Sequence, residues 1–364
     1  MLDYLVSEGR FRKLPTLPQK GLNLSSNDYL SLAQDERVKD AAIVAIQNHG
    51  TSASASRLVT GHLELHAELE SRLADYLGTE SALVFGSGFL TNLGVLTSLA
   101  GRNDQIFADR LNHASLTDGS LQSRAKFIRY QHNDIPDLKR LIELHPSTGK
   151  RLIVTESIFS MDGDIAPLAE LIKVADEIDA ILVVDEAHAV GVFGTGILSA
   201  IKERPKNLVI VGTLSKSLGS YGGFAACSAE IKSYFINTAR SFIYSTGLPP
   251  SSCAAALAAL RIIREERVLG DKLIAKARIL YQALEPVSDL LLPFESQIIP
   301  VIVKDNNRSV EIQNQLYNRG IICTAVRPPT VPENTARLRL SVNLCHTEAE
   351  LLRAAEEIVR LWHY

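Results

Sequence analysis

The sequence predicts an α/β protein: a mostly parallel sheet in a large domain, followed by a smaller α+β domain toward the C-terminus. Three observations carry this expectation. Short runs that are apolar at every position but Thr155 (82–85, 152–155, 181–184 and 208–211) suit strands buried on both faces. Helical patterns lie between them, as in 167–177, where Leu168, Leu171, Ile172 and Ala175 fall on one face. Strands alternating with helices give a parallel sheet covered by helices. Finally, 364 residues exceed what one typical core holds, so a second domain is expected.

Up to about Leu32 the chain is turn-rich, with Pro15, Pro18, Gly21 and the Ser25-Ser26-Asn27-Asp28 cluster. Leu65, Leu69, Leu73 and Leu77 have helical spacing, and Gly78 stops that helix. The large domain is expected to span residues 33–238. From Ala239 the pattern is helical to about Leu284. It continues with a strand at 298–303, a helix over 310–319 and a strand at 337–342, giving a small domain over 239–364.

Apolar residues make up 46% of the chain and charged residues 22%, with a formal net charge of −3. No basic run offers a nucleic-acid surface. The most apolar stretch, 254–260, soon meets Arg261, Arg264, Glu265 and Glu266 and is too short to span a bilayer. Residues 1–10 include Asp3 and Glu8 and hold no run of signal-peptide length. Cys227, Cys253, Cys323 and Cys345 are scattered without metal-ligand spacing. A cytoplasmic protein with reduced thiols, bound to neither nucleic acid nor membrane, is the expectation.

The chemistry lies in the residues at the end of each buried strand. Asp185, Glu186, Ala187 and His188 come directly after one run. Thr213 ends another, and Lys216 stands three residues on between Ser215 and Ser217. Ser157 and Ser160 come after a third, and Gly86-Ser87-Gly88-Phe89 after a fourth. In open parallel sheets ligands bind outside the carboxyl ends of the strands, so four strands deliver polar groups to one rim. The glycine loop before a helix exposes N–H groups suited to a phosphate. It is no dinucleotide fingerprint, because position 91 is threonine. Asp-Glu-Ala-His also occurs in helicases, but the phosphate loop such an ATPase needs is missing: Gly149-Lys150 is followed by Arg151. His62 and His66 have i, i+4 spacing with no third ligand motif, so no metal site is expected. A lysine amine can bond an aldehyde cofactor, and a carboxylate can keep a pyridine nitrogen protonated. Lys216 and Asp185 are separated by room for one crossover and a strand, which sets them at neighbouring strand ends.

At these residues the chain resembles the α-oxoamine synthases, fold-type I pyridoxal-phosphate enzymes that condense an amino acid with an acyl thioester. The matching motifs are Ser26-Asn27-Asp28-Tyr29-Leu30, Ser56-Arg57-Leu58-Val59-Thr60-Gly61-His62 and Asp109-Arg110-Leu111-Asn112-His113-Ala114-Ser115. They continue with 155–164, Val184-Asp185-Glu186-Ala187-His188 and Tyr244-Ser245-Thr246. The stretch Arg327-Pro328-Pro329-Thr330-Val331-Pro332, followed by residues 335–340, is similar to the branch that condenses L-alanine with a pimeloyl thioester, carried by CoA or by an acyl-carrier protein.

The resemblance implies roles. Lys216 would hold pyridoxal 5′-phosphate covalently and then take the Cα proton of alanine. Asp185 would pair with the ring nitrogen and His188 with the phenolic oxygen, while His113 would stack on the ring. Gly88 and Phe89 would donate to the phosphate, with Ser160 and Thr213 nearby. Thr246 would reach the phosphate in a neighbouring subunit, which implies a homodimer. Arg339, Thr330 and Asn27 would contact substrate. An N-terminal arginine also does so in the family; Arg10 and Arg12 both stand in the right region, and the role is assigned to Arg12. Arg337 and Arg339 share one strand face by the period of two, which leaves room for one of them to be structural.

Overall fold

The computed structural model describes residues 2–12, 14, 21–202, 204–205 and 207–362. The turn signals at Pro15 and Pro18 lie outside them. The chain divides into two compact units, one formed by residues 30–159 and 166–270, the other by 1–29, 160–165 and 271–364.

The first unit is built on seven strands: β1 (Ser81–Phe85), β2 (Gln105–Asp109), β3 (Lys126–Tyr130), β4 (Arg151–Glu156), β5 (Ile181–Asp185), β6 (Leu208–Thr213) and β7 (Gly223–Cys227). Their order in the sheet is β1-β7-β6-β5-β4-β2-β3. Only β7 runs antiparallel to its neighbours; the pairs from β6 across to β3 are parallel. The four apolar runs of the sequence are β1, β4, β5 and β6. The pattern did not announce β2, β3 and β7. β3 alternates in burial along an edge, and β7 is a small-residue strand, Gly-Phe-Ala-Ala-Cys, with little hydrophobic signal of its own.

Leu83, Val154, Val183, Val209 and Ala225 fill one face of the sheet against Val95, Leu96 and Leu99 of the helix Gly88–Leu99, and Phe235 and Phe242 complete the cluster. The helix Glu64–Leu77 runs as its leucines require and ends at Gly78, whose φ of 66° is the left-handed conformation glycine adopts without strain. The helix Pro250–Glu265 packs on Glu36–His49 and Glu64–Leu77. The segment that opens the helical region at Ala239 therefore makes its contacts within this unit as far as Gly270.

The second unit holds β8 (Ile298–Lys304), β9 (Thr324–Val326) and β10 (Ala336–Ser341), antiparallel in the order β9-β10-β8. A short parallel pair joins Leu22–Asn23 to Ile321–Ile322. The helix Asn306–Asn318 buries Ile312 and Leu316. The helix Glu348–Trp362 buries Leu351, Ala354, Ala355, Ile358 and Leu361, a single apolar stripe. The turn-rich N-terminal segment also contains a helix, Leu2–Ser7, which the sequence pattern did not reveal. Among the described residues no helix is long and apolar enough to cross a membrane. All four cysteines are free thiols, and burial pushes three of them, Cys227, Cys253 and Cys323, up to about 12.

Candidate active site

β1, β4, β5 and β6 run the same way, so the residues after them share one rim of the sheet. Asp185 is the last residue of β5, and its side chain is buried. Its Oδ1 accepts from Ala187 N at 2.9 Å, an Asx turn; no helix comes next, so Asp185 caps none. Its Oδ2 accepts from Asn92 Nδ2 at 2.7 Å. Asn92 also reaches Ser115 Oγ at 2.9 Å, and Ser115 Oγ lies 2.7 Å from His113 Nδ1. Asp185 and His113 are thus joined through two side chains. The backbone N–H of Ser115 also points at His113 Nδ1, 3.2 Å away. Two donors on Nδ1 place the ring proton on Nε2. His113 is exposed by surface area but crowded by its neighbours. Desolvation holds it below the ordinary histidine range, against the pull of Asp185 and together with the charge of Lys216.

Lys216 is half-buried rather than a solvated loop residue, and its Nζ lies 2.7 Å from His188 Nε2. Its turn is braced from both sides. Leu214 N donates to Gly222 O and Ser220 N to Leu214 O. Thr213 Oγ1 donates to Gly222 O at 2.9 Å and sits 2.8 Å from Ser215 Oγ. His188 is buried in the turn after β5, which Glu186 anchors. The Glu186 carboxyl is fully buried, and burial raises its pKa against three donors: Ser157 Oγ at 2.6 Å, Leu198 N at 2.9 Å and Ile197 N at 3.1 Å.

The glycine loop begins the helix Gly88–Leu99 with Ser87 as its cap, whose Oγ accepts from Leu90 N. The first N–H groups of a helix have no intrahelical partner. Those of Gly88 and Phe89 have none among the described residues. A Cβ on Gly88 would stand 3.5 Å from Thr213 Oγ1, so this hydroxyl shares the cradle. A Cβ on Gly223 would come within 2.6 Å of Gly88 N, so only glycine leaves that donor room. Thr246 is exposed and bridged in antiparallel fashion to Ser56.

A second cluster forms in the other unit. Arg339, on β10, is buried among neutral oxygens. Its Nε donates to Ser160 O at 2.5 Å, Nη1 to Asn27 Oδ1 at 3.1 Å and to Ser341 Oγ at 2.7 Å, and Nη2 to Tyr29 OH at 3.3 Å. Arg337, two residues earlier on the same face, is instead paired with Asp162. Arg10 is paired with Glu333 at 2.5 Å, whereas exposed Arg12 donates to Thr330 Oγ1 at 2.9 Å. Arg327 donates to Gly9 O at 2.6 Å, and burial followed by the charge of Arg12 lowers its pKa.

Sequence reasoning missed Asn92, Ser115 and Glu186 as site residues. Asn92 carried a signal, since it stands one helical turn after Gly88 and so shares its face. His66 Nδ1 accepts from Leu63 N and its Nε2 faces Leu248 O, and among the described residues no group of three or more His, Cys, Asp or Glu is placed to hold a metal ion.

The amine of Lys216, the carboxylate of Asp185 and the N–H donors of Gly88 and Phe89 match the aldehyde, ring nitrogen and phosphate of pyridoxal phosphate. A helix-covered parallel sheet presenting them at one rim defines a fold-type I pyridoxal-phosphate enzyme. The chain belongs to the family described as aminotransferase class I and II, whose model matches residues 19–358, and within it to the α-oxoamine synthases. A relative from Geobacter sulfurreducens named 8-amino-7-oxononanoate synthase is 44% identical, over 99% of this chain and 96% of its own. A serine palmitoyltransferase variant from S. paucimobilis with a bound PLP–myriocin aldimine superposes with a TM-score of 0.94 at 29% identity, covering 99% of this chain and 95% of that one. An 8-amino-7-oxononanoate synthase from Francisella tularensis superposes with a TM-score of 0.81 at 29% identity, covering 95% and 99%.

Proposed function

We propose that the chain is an 8-amino-7-oxononanoate synthase, a pyridoxal-phosphate-dependent acyltransferase that condenses L-alanine with a pimeloyl thioester and releases CO₂ and a thiol. The observation that carries the reading is the Lys216–His188 contact at the strand rim that also bears the Asp185–Asn92–Ser115–His113 chain. Relatives of 41–44% identity over 97–99% of this chain bear that name.

Pyridoxal phosphate, when bound, supplies a conjugated ring that accepts the electron pair left at the alanine Cα. Lys216 would hold the cofactor through its amine, and the same Nζ would take the Cα proton of alanine. Asp185, whose two oxygens accept from Asn92 Nδ2 and Ala187 N, would pair with the ring nitrogen and keep it protonated. His113 would pack on the ring, its orientation fixed by the two contacts at Nδ1. His188 serves the phenolic oxygen. Gly88, Phe89 and Thr213 would receive the phosphate, a role the family resemblance extends to Ser160. Arg339, a buried cation among neutral acceptors, takes the alanine carboxylate together with Asn27. Arg12 and Thr330, already bonded to each other, contact the acyl substrate, and Arg12 rather than Arg10 does so because Glu333 neutralises Arg10.

Thr246 serves a second subunit's phosphate in a homodimer. Leu58, Val59 and Tyr244, exposed by 52%, 75% and 71% around the Ser56–Thr246 bridge, form the apolar surface such a dimer covers. A cytoplasmic location belongs to this reading, supported by the scattered free thiols.

The serine palmitoyltransferase likeness favours a second reading, an oxoamine synthase of other specificity. Absorbance and thiol release measured with alanine, glycine and serine against thioesters of increasing length test both. Fastest turnover with alanine and the pimeloyl chain is expected, and faster turnover with glycine or serine overturns the assignment.

A further inference from the structure

The Ser56–His62 motif has no part in the chemistry above, and its side chains lead away from the rim to a buried ion cluster. Arg57 and Glu70 form a salt bridge with side chains only 7% and 5% exposed. Glu70 Oε2 also takes Lys232 Nζ at 2.9 Å. Burial by itself would raise the Glu70 pKa, but Arg57, Lys232 and the Val84 N–H together hold it below the ordinary carboxylate range.

The cluster ends on the backbone of β1. β1 is an edge strand, and both open groups of Val84 are used: its N–H donates to Glu70 Oε1 at 2.9 Å, and its carbonyl accepts from Arg57 Nη1 at 3.4 Å. The ion pair stands where a neighbouring strand would, two residues before the Gly86–Phe89 loop. The other side of Arg57 is set by His62, whose Nδ1 lies 3.2 Å from Nε and 3.0 Å from Nη2. The guanidinium packs 5.3 Å from the centre of the Phe242 ring. Ser56 Oγ donates to Ile243 O at 2.8 Å, Gly247 N donates to Ala55 O at 3.0 Å, and Ser56 bridges Thr246. A Cβ on Gly61 would overlap Ala55 O at 1.9 Å, and one on Gly247 would lie 2.6 Å from Gly61 O, so these segments pack backbone to backbone. Arg57, Gly86 and Thr246 line one narrow cleft.

We infer that the Arg57–Glu70 pair is a positioning device for phosphate recognition, holding the Gly86–Phe89 loop and the Thr246 loop in register with each other. It rests on the reading that the first loop receives the cofactor phosphate of its own subunit and the second that of the neighbouring subunit. Neither residue touches the reacting atoms. Their effect is confined to the phosphate end and does not extend to the amine of Lys216.

Pyridoxal, which has the aldehyde but no phosphate, separates this role from general loosening. Binding of pyridoxal phosphate and of pyridoxal is titrated by absorbance for wild type, Glu70→Gln, Arg57→Lys and the double variant Arg57→Met/Glu70→Met. The double variant removes both buried charges, and Lys232, which loses its partner, has a side chain 26% exposed and stays within reach of water, so the fold remains testable. Pyridoxal phosphate should bind at least about tenfold more weakly to Glu70→Gln and to the double variant, the scale of one charge-assisted bond, while pyridoxal binding stays unchanged. Arg57→Lys should recover part of the loss. Equal weakening of both compounds, or a double variant with wild-type preference for the phosphorylated one, overturns this inference alone. A wild-type chain that takes up neither compound overturns the cofactor reading and this inference with it.

Discussion

Methionine at Arg339 and methionine at Arg337 should produce opposite defects, although both arginines point the same way from β10 and both are buried. Arg337 is paired with Asp162, with side chains 5% and 13% exposed. Removing the cation strands a carboxylate in a largely dry place, which costs about 3–5 kcal/mol. Arg339 has only neutral acceptors, so its removal strands no opposite charge. On the proposed function, what it loses is its bond to the substrate carboxylate. Hydrogen bonds to charged groups contribute about 1.5–3 kcal/mol each. One to two of them give a loss of about 3 kcal/mol, and at a factor of ten per 1.4 kcal/mol this is about a hundredfold. Arg339→Met should therefore lower kcat/KM for alanine about a hundredfold, mostly through KM, with a near-wild-type melting curve. Arg337→Met should melt well below wild type and keep its KM for alanine. Thermal denaturation beside steady-state kinetics in alanine reads both. A KM in Arg339→Met within about threefold of wild type would refute the reasoning. So would an alanine-specific defect in Arg337→Met with an unshifted melting curve.

Three further outcomes are expected. Lys216→Ala should lose both covalent retention of pyridoxal phosphate, read by absorbance after gel filtration, and product formation while keeping its fold; wild-type turnover would sink the proposed mechanism. Asn92→Leu should lower kcat roughly 10- to 100-fold, because Asp185 loses a charge-assisted donor worth about 1.5–3 kcal/mol; an unchanged kcat would show that Asp185 needs no help from it. His66 should make stability fall as the pH drops from 6.5 toward 4. Burial and then the charge of Arg57 lower its pKa from 6.5 to about 4, so in that window the unfolded chain binds the proton and the folded chain does not. Its Nδ1 already accepts from Leu63 N, leaving no room for the second ring proton. Urea denaturation of His66→Gln should show a shallower pH slope there, and an identical slope would exclude His66 as the source.

The sequence by itself determined the sheet and the rim. Short, almost wholly apolar runs alternating with helical patterns suit strands covered on both faces, and the residues just beyond parallel strands share an edge. Asp185, Lys216, His188 and the Gly86–Phe89 loop were legible for that reason. The edge strand β3 and the small-residue strand β7 were not, because their place in the sheet comes from neighbours rather than from hydrophobic pattern. The tertiary structure alone separated residues that look alike in sequence. Period two put Arg337 and Arg339 on one face, but only the arrival of Asp162 beside one of them made that one structural. Arg10 and Arg12 were equivalent until Glu333 took the first and Thr330 the second. Asn92 and Ser115 entered the site because a helix and a strand end brought them between Asp185 and His113. Local pattern reports burial and direction. Which charge meets which is decided by contacts between residues far apart in the chain, and those exist only once it has folded.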